Sequence, residues 1–161
     1  MPPNQENIHI DDVDAKIISA LSSDSRRSYS DVGSEVGLST AAVHERVKKM
    51  LERGVIARFA LQVNHEAVGL NFTAFVAIRN DGGAHCREIA PRLRELAAVQ
   101  ELHSVAGEYD FLAKIRTRHA RDLEAVLYQI KSIPGVARTT STVVLDTVFE
   151  GQPIKLAGGT V

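Results

Sequence analysis

The sequence predicts two unlike domains in one chain, an all-helical first part and an α+β second part, and three observations carry that prediction. Up to Gly54, apolar residues recur three and four positions apart in three short runs separated by turn residues, which is a helical period. From Phe72 on, β-rich runs and helical stripes follow one another in the order β-α-β-β-α-β. The length of 161 residues, 44% of them apolar and 24% charged, provides core material for two small globular domains.

Residues 1–9 read as a polar leader. Val13, Ile17, Ile18 and Leu21 then form a helical stripe behind acidic capping residues, Asp11 and Asp12. Ser22 to Ser25 is turn chemistry, and Ser28-Tyr29-Ser30-Asp31 resembles a capping box ahead of Val32 and Val36, which share a helix face. This short second helix stops at Gly37. A third helix takes Ser39 as N-cap, sets Val43, Val47, Met50 and Leu51 on one face, and ends at Gly54. Helices two and three, joined by about three residues, make a helix-turn-helix over residues 10–54.

Residues 55–69 are expected to form a wing and linker strand, because Val55, Ile56, Phe59, Leu61 and Val63 suit extended backbone. The second domain is assigned to residues 70–150, with a tail over 151–161. Its strands fall at Phe72 to Ile78, Val99 to Val105, Phe111 to Ile115 and around Val143 to Leu145. Helical faces lie at Ile89, Leu93 and Leu96 and at Leu123, Val126, Leu127 and Ile130. Pro91 makes the first of these helices start late or kink. The element order is the ferredoxin-like split unit, a four-stranded antiparallel sheet with both helices on one face. The other face is expected to be open and to carry Phe72, Val76 and Ile78 with Ala74 between them, apolar groups that a second copy would cover.

No apolar stretch approaches the roughly 18 residues that span a bilayer, and the N-terminus shows no basic region followed by an apolar core, so a cytoplasmic protein is expected. A single cysteine, Cys86, excludes an internal disulfide and a thiolate zinc cage. With 19 basic and 20 acidic residues the net charge is −1, so attraction to nucleic acid needs a local patch.

The third helix holds such a patch. Arg46, Lys48, Lys49, Arg53 and Arg58 outnumber Glu45 and Glu52 by three between Thr40 and Arg58. The small residues Ser39, Thr40 and Ala41 would let the helix N-terminus enter a major groove. There His44, Glu45 and, partly turned toward the core, Arg46 would reach base edges while Lys48, Lys49 and Arg53 neutralise phosphates. A charged outer face on an isolated helix is usually only a solvated one; the capped helix and short turn ahead of this one favour DNA.

A second site is suggested by Gly107-Glu108-Tyr109-Asp110. Gly107 can present successive backbone N–H groups, and Asp110 can either cap the turn or accept an ammonium, partners that a zwitterionic amino acid would need. A plain hairpin turn capped by Asp110 explains the same residues. His103, Glu108 and Asp110 lack metal-ligand spacing, so neither metal nor cofactor is expected. His85-Cys86 reads as an ordinary surface pair, Tyr109 and Tyr128 read as packing residues, and no phosphate-binding glycine loop is present.

Ile10-Asp11-Asp12-Val13-Asp14, Val36-Gly37-Leu38-Ser39, the run Glu45 to Ile56, Gly107-Glu108-Tyr109-Asp110 and Pro134-Gly135-Val136 resemble, in order, the Lrp/AsnC family of feast/famine transcription regulators. The resemblance implies a winged or plain helix-turn-helix joined to a ligand-sensing αβ-sandwich, dimers that assemble into octamers, and an amino acid as effector. It also places the effector at the Gly107 turn between dimers, with Thr142 and Val144 of the last strand nearby. Gly33 stands where the family usually has Ala and is expected to loosen the second helix. Val148-Phe149-Glu150 replaces the common ending in Lys.

The expectation is therefore a homo-oligomeric regulator, not an enzyme, that reads a pseudo-palindromic operator in double-stranded DNA and responds to a small effector. One rival is an amino-acid-binding regulatory subunit of a metabolic enzyme, since similar domains serve there. Another is a ligand-binding assembly module whose helices contact protein.

Overall fold

The computed structural model describes residues 9–82, 86–154 and 156, so His85 lies outside the described residues. The chain divides into two units, one of residues 1–61 with 149–161 and one of residues 62–148.

Three helices make the first unit: α1 (Asp12–Ser23), α2 (Tyr29–Val36) and α3 (Thr40–Glu52). Each begins where a short side chain accepts an otherwise unpaired N–H group. Asp11 Oδ1 takes the Asp14 N–H at 2.7 Å, Ser28 Oγ the Asp31 N–H at 3.1 Å, and Ser39 Oγ the Ala42 N–H at 3.2 Å. Their inward faces meet in a core of Ile17, Ala20, Leu21, Val32, Val43, Val47 and Met50.

The turn between α2 and α3 corrects the expectation for Gly33. Gly37, at φ 75°, ends α2, and both its N–H and that of Leu38 fold back onto the Gly33 carbonyl, the latter at 2.8 Å. A Cβ on Gly33 would stand 2.5 Å from the Leu38 carbonyl oxygen. Glycine here admits the turn onto the helix and does not loosen it.

Residues 55–69 are a second correction, since no strand forms there. The Ile56 N–H closes onto the Met50 carbonyl at the end of α3, and no strand of the described residues pairs with residues 57–69. Extended backbone needs a neighbour for its N–H and C=O groups. Phe59, Leu61 and Val63 accordingly stay exposed, Leu61 at 87%.

The second unit comprises β1 (Phe72–Asn80), α4 (Cys86–Arg94), β2 (Val99–Ser104), β3 (Phe111–Thr117), α5 (Ala120–Lys131) and β4 (Val136–Val143). The strands form one antiparallel sheet in the order β2-β3-β1-β4, the ferredoxin-like arrangement expected. The last strand begins earlier than the sequence suggested; beyond its end, the Val144 N–H still reaches the Thr73 carbonyl at 2.9 Å. Helix α4 passes through Pro91 and does not start late. The ring removes only the N–H that would have bonded the Arg87 carbonyl.

Which sheet face is open is the third correction. Ala74, Val76 and Ile78 are fully buried with Ala113 and Ile115 beneath Ile89, Leu93, Leu123, Val126 and Ile130 of the helices, and Phe72 packs at the edge of that cluster. The opposite face carries Thr73, Phe75, Ala77 and Arg79 from β1. Side chains alternate along a strand, and the parity richer in Val and Ile takes the deeper side.

Candidate DNA interface and effector turn

The outer surface of α3 builds up from its N-cap. Ser39, Thr40, Ala41, His44, Glu45, Lys48, Lys49 and Arg53 are all exposed, and Val43, Val47 and Met50 anchor the opposite stripe in the core. The His44 ring meets the Tyr29 ring edge-on at 5.9 Å, which ties it to the first turn of α2, and its Nδ1 lies 3.8 Å from Glu45 Oε1. Lys48 sits 3.9 Å from Glu52, an exposed pair one helical turn apart that contributes little. Lys49 has no ion pair among the described residues.

One of the expected contacts, Arg46, is occupied otherwise, and Arg53 bonds a backbone carbonyl while remaining exposed. Arg46 does not face outward: its Nη1 lies 2.7 Å from Asp11 Oδ2 and 2.8 Å from Asp14 Oδ1, joining the middle of α3 to the first turn of α1. The position lies on the flank of α3, and the long side chain turns to the two carboxylates instead of to solvent. The Asp14 N–H and then the Arg46 guanidinium hold the Asp11 carboxyl below its ordinary pKa, and the two aspartates raise that of Arg46. Arg53 donates from Nη2 to the His9 carbonyl at 3.1 Å. Sequence reasoning missed Asp11 and Asp14 as partners of the recognition helix. Their signal was there, since carboxylates in the first turn of α1 offered a partner to a cation of the same core.

In the second unit the Gly107 turn is closed by the Val105 N–H bonding the Asp110 carbonyl at 3.0 Å. Gly107 has φ 142°, and the space where a Cβ would stand is empty. Asp110 works as a cap, its Oδ2 accepting the Asn80 N–H at 2.7 Å while its own N–H bonds the Ile78 carbonyl. Tyr109 reaches across β1 so that its hydroxyl lies 2.9 Å from Thr140 Oγ1. Thr142 comes two residues later, opposite Phe75, and Val144 two further, so all three share the open sheet face. Glu108 is exposed at the tip of the turn. An open trough of about 870 Å³ between α4 and β2 contains none of the turn residues. The described residues include no group of three His, Cys, Asp or Glu able to hold a metal ion, and none of their helices is long and apolar enough to cross a membrane.

Comparison with known proteins matches residues 10–51 to the AsnC-type helix-turn-helix domain and residues 73–154 to the Lrp/AsnC ligand binding domain. The transcriptional regulator FL11 of Pyrococcus abyssi is 36% identical over 140 residues, covering 87% of this chain and 92% of that protein. LrpA of Mycobacterium tuberculosis is 35% identical over 143 residues, covering 89% and 95%. A feast or famine regulatory protein from M. tuberculosis, solved in complex with L-methionine, superposes with a TM-score of 0.86 at 33% identity, covering 92% of this chain and 100% of that one. With a capped recognition helix in the first unit, a ferredoxin-like sheet in the second and both halves matched in order, the chain belongs to the Lrp/AsnC family of transcription regulators.

Proposed function

We propose that this regulator acts as a homodimer or a higher assembly such as an octamer, in the cytoplasm, on a pseudo-palindromic operator. Helix α3 enters the major groove by its small N-terminal residues, Ser39, Thr40 and Ala41. His44 and Glu45 meet base edges, Lys48 and Lys49 meet phosphates, and Arg46 holds the helix in place from behind. The exposed face of α3 carries this reading, because it offers small, polar and cationic groups in that order. Its experiment is a salt titration of binding to duplex DNA. A DNA reader loses affinity steeply as salt rises, and a flat response refutes the assignment.

The effector in this reading is an amino acid at the Gly107 turn, beside Tyr109, with Thr142 and then Val144 further along the same sheet face. The support is the exposed turn backbone at Gly107 and the methionine complex of the related regulator. Since the Asp110 carboxylate already accepts one backbone N–H, its second oxygen and Glu108 are the groups that would receive the ammonium. Binding there shifts assembly and thereby operator affinity, by a coupling of roughly 1 to 3 kcal/mol. Thermal-shift screening against the twenty amino acids tests this, because a ligand that binds only the folded state raises its melting temperature.

A further inference from the structure

Beside the effector turn, the open sheet face carries two arginines directly opposite one another. Arg79 of β1 and Arg138 of β4 are register partners, so their Cβ atoms are about 5 Å apart. Both are exposed, and neither meets a carboxylate within 4 Å among the described residues. Like charges placed so oppose the pairing of their strands. Elsewhere on this face Lys114 is matched, its Nζ lying 3.1 Å from Glu101, and Arg116 donates from Nε to Thr73 Oγ1.

The arginine pair is also placed by the turn. Arg138 precedes Thr140 by two residues on the same face, about 6 to 7 Å along the strand, and Thr140 is where the Tyr109 hydroxyl docks. The Asp110 cap lands on Asn80, the residue next to Arg79, at the irregularity in the β1–β4 register. One locality thus combines exposed turn backbone at Gly107, carboxylates at Glu108 and Asp110, and two unmatched guanidiniums.

We infer that Arg79 and Arg138 form the seat for a second carboxylate, and that the effector is an acidic amino acid. Its ammonium faces Glu108 and Asp110, its α-carboxylate the turn backbone, and its side-chain carboxylate the guanidinium pair, where two planar forks suit an anion. This inference rests on the amino-acid reading of the turn and narrows it.

The test is calorimetric titration of the full-length protein with L-aspartate and L-glutamate against L-asparagine and L-glutamine, which match them in shape without the second charge. The acids are expected to bind at least tenfold tighter. Arg79→Met and Arg138→Met should each remove most of that preference while leaving amide binding within about twofold. Equal or tighter binding of the amides overturns the inference and leaves the amino-acid reading standing; no binding of any of the twenty amino acids overturns both. Succinate binding as well as aspartate overturns the ammonium contact and with it the assignment to an amino acid. If the arginine variants change only the oligomeric state seen by light scattering, the pair serves a carboxylate of a second copy and the inference falls.

Discussion

Replacing Arg46 by Met separates a helix clamp from a DNA contact. In the structure one guanidinium nitrogen serves two carboxylates, at 2.7 and 2.8 Å, and the three side chains differ in exposure: 12% for Asp14, 34% for Arg46 and 41% for Asp11. An exposed pair is worth at most about 1 kcal/mol, whereas removing one partner of a buried pair costs about 3 to 5 kcal/mol. Asp14 is the group that suffers, and solvent reaching Arg46 and Asp11 discounts the upper figure, which gives about 2 kcal/mol. For a domain of this size that lowers the melting temperature of the first unit by roughly 10 °C. Met keeps most of the stem volume, so the loss reports on charge rather than packing. Circular dichroism melts measure it, and operator titrations at several salt concentrations supply the second axis. A clamp that touches no phosphate leaves the slope of log affinity against log salt unchanged, whereas one lost phosphate contact would reduce it by about 0.9. An unchanged melt together with a tenfold loss of operator binding would refute the clamp and return Arg46 to the groove.

Gly33→Ala should destabilise the first unit by about 1 to 2 kcal/mol in a denaturant titration. The gain in helix preference, up to about 1 kcal/mol, is outweighed by a Cβ driven against the Leu38 carbonyl oxygen; a melt at or above the parent's would show that the turn yields freely. Asp11→Asn keeps an N-cap and removes the charge. Because the folded-state pKa of Asp11 is depressed, its charge contributes stability that is fully present above the unfolded value near 3.9 and is lost as pH falls through the folded one. The parent's advantage over the variant should therefore hold constant from about pH 5 to 7 and shrink below about pH 4, and an advantage that grew on acidification would contradict the ion-pair reading. Lys48→Ala with Lys49→Ala should weaken binding to all DNA sequences alike and flatten the salt slope by about two units per half-site; an unchanged slope would remove both from the phosphate contacts.

The helices are legible in the sequence because their signals are local. Asp11, Ser28 and Ser39 each act on an N–H three residues away, so caps and apolar period together mark where each helix starts. The sheet topology comes from element order, since few arrangements of β-α-β-β-α-β bury both helices. Its facing is less direct. Ala74, Val76 and Ile78 read as one apolar row, but exposing that row would leave Phe75 and Arg79 beneath the helices, an arrangement that desolvates a charge. Gly33 misleads because a propensity scale describes an isolated helix, and its requirement comes from a carbonyl five residues later in a turn.

Charge is the least legible property, because a count of residue types does not show which are already matched. Five cations between Thr40 and Arg58 imply a strongly basic helix face, yet Arg46 is held by two aspartates more than thirty residues earlier in the chain and Arg53 is tied to the His9 carbonyl. With Arg46 held by carboxylates, the exposed cations of this stretch are Lys48, Lys49, Arg53 and Arg58, so the electrostatic attraction is smaller than the composition suggests. The same separation works in the opposite sense on the sheet, where Arg79 and Arg138, fifty-nine residues apart, give no signal in the sequence and become adjacent only through the β1–β4 register. Pairing in space thins one basic cluster and creates another, and the created one lies beside the strand that the Tyr109 hydroxyl reaches.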